Sequence, residues 1–158
     1  MTNTERPAPG DAAPDFTLTA PGGAVSLSAR NGRKTVLYFY PRDDTPGCTA
    51  EALDFTAEAA AFGAAGADVI GISKDSVQAH EKFIAKHGLG VTLASDEDGG
   101  VAEAYGVWVE KNMYGRTFMG IERTTFLIDG AGIVRQVWPK VKVKGHVAEV
   151  LNAVRALD

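Results

Sequence analysis

Residues 35–40 (TVLYFY) are apolar or β-branched without interruption. An unbroken run of that length suits a strand buried on both faces, as in a parallel sheet. Pro41 ends it, because proline offers no N–H to a sheet ladder. After the polar turn Arg42-Asp43-Asp44, the pair Thr45-Pro46 predicts a helix start. Threonine suits the N-cap and proline the first helical position. From Cys48 onward, Ala52, Phe55, Ala59 and Phe62 recur at alternating steps of four and three, which is one helical face. Gly63 and Gly66 break the pattern, and ADVIGIS, residues 67–73, reads as a second buried strand. Strand, helix, strand predicts a crossover that leaves the two strands parallel.

Shorter patterns flank this unit. Phe16 and Leu18 alternate with polar residues, as do Val25 and Leu27, across Pro21-Gly22-Gly23; this predicts a hairpin. Residues 30–34 (RNGRK) read as a solvated basic turn. Residues 74–87 predict an amphipathic helix, with Val77, His80, Phe83 and Ile84 inward and Gly88 as its stop. A short strand (91–94), an acidic turn (95–100) and a short helix (101–105) follow. Residues 107–117 show no clear period and are read as strand and loop. Residues 124–128 predict a strand, 129–132 (DGAG) a hairpin turn, and 133–138 its antiparallel return. Residues 145–157 close the chain as a helix with Val147, Val150, Leu151 and Val154 on one face. Residues 1–10 carry two prolines and no periodicity, and are expected to form a mobile tail. There is no repeat or linker, and the length fits one domain over 1–158. The order of elements predicts an α/β fold: a mixed sheet with helices on both faces and an N-terminal hairpin.

Composition narrows the functional classes. The chain is 45% hydrophobic and 23% charged, as soluble globular proteins are. Its net charge of −4, with no basic cluster, argues against nucleic acid or an anionic membrane as partner. No apolar run resembles a signal peptide or a membrane span, so a cytoplasmic protein is expected. One cysteine cannot form an internal disulfide, and a free thiol fits a reducing compartment. His80, His87 and His146 lack zinc spacing, and Asp96-Glu97-Asp98 lacks the spaced ligands of a calcium loop. No phosphate loop or dinucleotide fingerprint is present. Neither metal nor cofactor is expected.

Chemistry concentrates at Cys48, the third helical residue on the register above. Backbone N–H groups of a first helical turn lack intrahelical partners and can solvate a thiolate. The positive end of the helix dipole favours negative charge there. Thiolate, not thiol, is the nucleophile. Loops beyond the carboxyl ends of parallel strands are also where α/β proteins place their sites. A lone cysteine is commonly just a small buried hydrophobe. The helix-start position, the preceding Thr-Pro and the strand end upstream favour reactivity here.

Pro41, Thr45 and Cys48 fit P-x-x-x-T-x-x-C, which resembles the peroxidatic motif of the peroxiredoxins. YFYPRDDTPGCTAE is similar to the peroxiredoxin Q branch, also called bacterioferritin comigratory protein. GDAAPDFTL, VIGIS and GVWVEKNMYGRTFMGIERTTFLID agree with it in the same order, so the resemblance runs from about Gly10 to the last helix. It implies a thioredoxin-like fold and a peroxide-reducing cysteine, Cys48. It also implies that Thr45 hydrogen-bonds the peroxide and the sulfur, beside any capping role, and that Pro41 shields the pocket. Arg123 is selected by the resemblance rather than by spacing, ahead of Arg116 and Arg135. A guanidinium stays charged and can stabilise charge developing on peroxide oxygens. The N–H groups of Gly47 and Cys48 would bind substrate.

One departure matters. Many members of the branch carry a resolving cysteine five residues after the first, where this chain has Leu53; others place it on the next helix, which here has none. The resemblance is therefore to a one-cysteine member. Its sulfenic acid is expected to be reduced by an outside thiol such as thioredoxin, or glutaredoxin with glutathione, and a monomer is expected. The rival readings are a thioredoxin-type thiol–disulfide oxidoreductase, disfavoured by the absence of C-x-x-C, and a non-catalytic chaperone-like interaction protein.

Overall fold

The structure, a computed structural model, describes residues 6–30 and 32–157. β1 (Thr17–Ala20) and β2 (Gly23–Ser26) form the expected N-terminal hairpin. β3 (Lys34–Phe39), α1 (Pro46–Ala57), α2 (Ala59–Ala64) and β4 (Ala67–Ser73) make the central crossover. α3 (Val77–His87), β5 (Thr92–Ser95) and α4 (Gly100–Ala104) follow. β6 (Trp108–Met113), β7 (Arg116–Ile121), β8 (Thr124–Ile128), β9 (Val134–Trp138) and α5 (His146–Ala156) complete the order. Seven strands form one sheet, β2-β1-β5-β4-β3-β8-β9, while β6 and β7 pair separately. β5, β4 and β3 are parallel, and β8 runs antiparallel to β3. This is the mixed α/β sheet of a thioredoxin-like fold.

Strand parity divides the core. Val36, Tyr38, Leu93 and Leu127 point to a face packed by Phe55 of α1, Phe62 of α2, Phe83 of α3 and Val150 of α5. Leu37, Phe39, Ile70, Ile72 and Phe126 point to the other, where Ala102 of α4, Tyr105 and the β1–β2 hairpin close over them. Helices thus lie on both faces, but unevenly; among the described residues, α4 is the one helix on the second face.

Four expectations need adjustment. Of the tail, residues 1–5 lie outside the described residues. Residues 6–10 are fastened: Arg6 Nη2 lies 2.7 Å from Glu122 Oε2, and Gly10 N–H donates to the Val134 carbonyl at 2.8 Å. The 74–87 helix begins at Val77, because the Ser76 hydroxyl caps it by accepting from Ala79 N–H at 3.1 Å. The stripe from Cys48 to Phe62 crosses two helices, broken at Glu58 (φ −103°, ψ 9°), yet Cys48, Ala52, Phe55 and Phe62 all stay buried. Residues 107–117 belong to a hairpin, since β6 and β7 pair around Tyr114 (φ 53°) and Gly115 (φ 74°), a two-residue turn left-handed at both positions.

Candidate active site

The sheet register assembles the site. β3 and β8 pair antiparallel with Phe39 opposite Thr124. Arg123, just before β8, therefore stands at the edge where the chain leaves β3 for the Cys48 loop. Pro46 opens α1 and Cys48 is its third residue, as predicted. Cys48 is 1% exposed, on the helix face packed against the sheet. The Arg123 guanidinium bridges two groups of that helix: Nη2 donates to Cys48 Sγ at 3.2 Å, and Nη1 to Glu51 Oε1 at 2.7 Å. Gly47 makes room for it, because a Cβ there would lie 3.1 Å from Arg123 Nη2.

Burial works against the charge on Arg123, but Glu51 and the Cys48 sulfur more than offset it and hold the guanidinium above its ordinary range. Glu51 is fully buried. Burial pushes its carboxyl up to about 7 against the opposing pull of Arg123, with Asp54 adding a small push upward. Tyr38 lies beneath the site, stacked on Phe55 at 4.6 Å and on Tyr40 at 5.5 Å. Burial first, then the charges of Glu51 and Cys48, keep its hydroxyl protonated far above the usual tyrosine range. Gly71 opposite it is required, since a Cβ there would meet the Tyr38 ring at 2.6 Å. Among the described residues, the Tyr38 hydroxyl and Glu51 Oε2 are both buried without a hydrogen-bond partner. Lys111 of β6 is a second cation within reach; burial and then Arg123 lower its affinity for a proton, while Cys48 raises it.

Cys48 and Arg123 are therefore in contact, and Gly47 lies against the guanidinium. Thr45 departs from expectation as a cap. Its backbone has the N-cap conformation (φ −91°, ψ 156°), but its hydroxyl donates to the Arg42 carbonyl at 3.0 Å and makes no bond to the helix. The carbonyl of the preceding turn accepts the one hydrogen bond that the hydroxyl can donate. The N–H groups of Gly47 and Cys48 consequently lack both an intrahelical acceptor and a side-chain cap. Pro41 is exposed on the loop. Of the alternative arginines, Arg135 pairs with Asp129 at 3.2 Å and Arg116 is exposed on β7. Leu53 is 41% exposed on α1. Asp96, in the acidic turn, is buried and accepts from the N–H groups of Val101 and Ala102 at the start of α4.

Glu51 and Tyr38 were not anticipated as parts of the site. Only the three-residue spacing from Cys48 placed Glu51 on the inward face. Its ionisation yields a prediction. The fold favours the protonated carboxyl, so stability declines as pH rises from the ordinary value of 4.5 to about 7. Glu51→Gln cannot ionise and should not show that decline. Across this window the wild type should lose about 3 kcal/mol relative to Glu51→Gln. Urea unfolding of both proteins at about pH 5 and about pH 8 measures the difference.

A sulfur at a helix start, touched by a guanidinium, is the arrangement of thiol enzymes that support a thiolate and the charge that develops on what it attacks. Residues 9–137 match the model of the AhpC/TSA family. The chain is 48% identical to peroxiredoxin Bcp of Bacillus subtilis, over 94% of this chain and 96% of that one. It is 49% identical to peroxiredoxin Bcp of Xanthomonas campestris, over 90% of this chain and 89% of that one. A solved structure of the Xanthomonas campestris bacterioferritin comigratory protein, studied for alkyl peroxide reduction, superposes with a TM-score of 0.85. That match covers 89% of this chain and 90% of the other at 47% identity. The chain belongs to the peroxiredoxins, in their peroxiredoxin Q branch, and carries a single cysteine.

Proposed function

We propose that this chain reduces hydrogen peroxide and organic hydroperoxides through the thiolate of Cys48. The observation that carries the reading is Arg123 Nη2 at 3.2 Å from Cys48 Sγ at the start of α1. The thiolate attacks the terminal peroxide oxygen, an S–O bond forms and the O–O bond breaks. The electron pair leaves with the departing oxygen, which takes a proton to give water or an alcohol. Arg123, the N–H groups of Gly47 and Cys48, and the Thr45 hydroxyl hold the two oxygens in line; Pro41 restrains the loop. Cys48 becomes a sulfenic acid. An outside thiol forms a mixed disulfide with it and releases water, and a second thiol then restores Cys48. Alkyl hydroperoxides fall within the substrate class, by analogy with the Xanthomonas protein. The reductant is of the thioredoxin or glutaredoxin–glutathione kind. The working form is a monomer in the cytoplasm, where a lone thiol is kept reduced.

Peroxide consumption with dithiothreitol, run beside insulin-disulfide reduction, tests this reading. Peroxidase activity without insulin reduction is expected; insulin reduction without peroxidase activity would sink it. A single cysteine also sets the fate of the intermediate. One equivalent of peroxide should leave a Cys48 species trapped by a sulfenate reagent, with no disulfide inside the chain. Excess peroxide without thiol should drive Cys48 to sulfinic acid, because nothing caps it. Mass spectrometry and non-reducing gels read both. Rapid conversion of dilute protein into a Cys48–Cys48 dimer would overturn the external-thiol cycle.

A further inference from the structure

The proposed cycle makes two demands on one sulfur. A peroxide is small and needs the assembled pocket. A thiol reductant must bring its own sulfur in line with Cys48 Sγ. Cys48 is 1% exposed, so the first turn of α1 must open for that second step. What resists opening lies outside α1.

The loop before α1 is fastened at Asp43. His80 of α3 places Nδ1 2.6 Å from Asp43 Oδ2, and the Tyr40 hydroxyl donates to Asp43 Oδ1 at 2.6 Å. Asp43 N–H donates to Asp75 Oδ2 at 2.9 Å, an oxygen that also accepts from the Ser73 hydroxyl at 2.6 Å. The other ring nitrogen, His80 Nε2, lies 3.1 Å from the Ala94 carbonyl oxygen. A carbonyl oxygen can only accept, so Nε2 carries a proton. Nδ1 lies against a carboxyl oxygen of Asp43, so hydrogen bonds hold both ring nitrogens, one on the loop and one on a strand carbonyl. A short hydrogen bond to a carboxyl group is among the stronger ones. His80 is fully buried and the Asp43 side chain is 6% exposed, so water does little to screen the pair. α3 also reaches Asp44, through Lys86 at 2.7 Å and His87 at 2.9 Å, but Lys86 is 61% exposed and Asp44 42%, where an ion pair contributes little.

We propose that His80 is a positioning residue. Through its two ring nitrogens it ties Asp43 to the Ala94 carbonyl, and through the loop it sets the balance between the closed turn that takes peroxide and the open turn that a bulky thiol reaches. The inference rests on Cys48 being the peroxide-reactive sulfur.

The test compares two rates at Cys48 in the full chain. One is reaction with hydrogen peroxide. The other is reaction with a bulky aromatic disulfide, dithionitrobenzoate, which needs an open turn and no peroxidase activity. His80→Gln keeps a polar group but not the ring that bridges Asp43 and the Ala94 carbonyl. It should slow the peroxide reaction and speed the disulfide reaction, moving their ratio by roughly tenfold or more, as loss of a charge-assisted hydrogen bond would. Lys86→Ala, on the exposed pair, should leave the ratio within about twofold. If His80→Gln does not fold, Asp43→Asn and Tyr40→Phe remove the same clamp from the other side and should move the ratio the same way. Opposed changes are the signature, because a merely structural loss would not speed one reaction while slowing the other. Folded variants in which both rates move together, or neither moves, overturn the clamp. A wild type that reacts with the disulfide but not with peroxide would refute the peroxidase reading, while the disulfide arm still decides the clamp.

Discussion

Cys48→Ser should consume no peroxide above background while keeping its fold. The substitution changes one buried atom, and a hydroxyl still accepts the Arg123 N–H that now reaches Sγ at 3.2 Å. The guanidinium is not stranded either, because Glu51 Oε1 holds it at 2.7 Å. Urea unfolding should therefore place the variant within about 1–2 kcal/mol of the wild type. The chemistry does not survive. A serine hydroxyl keeps its proton near neutrality, and each of the three imidazoles is engaged elsewhere: the His80 ring with Asp43 and Ala94, His87 Nε2 with Asp44 at 2.9 Å, and His146 Nε2 with the Thr125 hydroxyl at 2.9 Å. Without an activating base, a hydroxyl is a weak nucleophile. The rate should fall by more than about a thousandfold, as when an essential nucleophile is removed. Peroxide loss followed in a pure, metal-free sample is the measurement. Turnover well above the protein-free control would remove Cys48 from the mechanism.

The parts of the fold legible in the chain are those whose local pattern matches their burial. β3, β4 and β8 are nearly continuous apolar runs because both their faces are covered, and their limits lie within a residue of the pattern. β6 and β7 resisted reading for the opposite reason. Met113, Phe118 and Met119 are exposed, so alternation does not separate core from solvent there. The turn between them places Tyr114, not asparagine or aspartate, in the left-handed conformation. Within the candidate site, the place of Cys48 as the third residue of α1 was legible from the Thr45-Pro46 helix start. Arg123 was not: the hydrogen bond spans 75 residues and exists because β3 and β8 pair in one register. Glu51 was masked by its type, since an acidic residue beside a helix start reads as solvated until a buried cation claims it. The helical period put His80 inward correctly, but nothing local pointed to Asp43, 37 residues away, as its partner.

Arg123→Ala should slow the reaction with peroxide by roughly 10² to 10³, the scale seen when one preorganised donor to a developing anion is lost. Two effects combine in that figure, and they are separable. The first is electrostatic support in the ground state: a neighbouring cation favours a negatively charged group, and the variant lacks that cation. The second is the transition state, where charge moves from sulfur onto the departing oxygen and a fixed donor is worth most. Glu51 does not confuse the comparison. Arg123 is what holds its carboxyl down to about 7 against burial. With the arginine gone the carboxyl takes up a proton at neutral pH, so no bare carboxylate is left beside the sulfur. The double variant Arg123→Ala with Glu51→Gln should therefore match Arg123→Ala alone. Thiolate content, followed by ultraviolet absorbance across pH, gives the first effect; the peroxide rate per thiolate gives the second. Arg123→Lys should restore part of the first and little of the second, because an ammonium cannot present the fork that spans Cys48 Sγ and Glu51 Oε1 together. If the rate per thiolate is unchanged in Arg123→Ala, the guanidinium acts on ionisation alone and has no part in holding the peroxide.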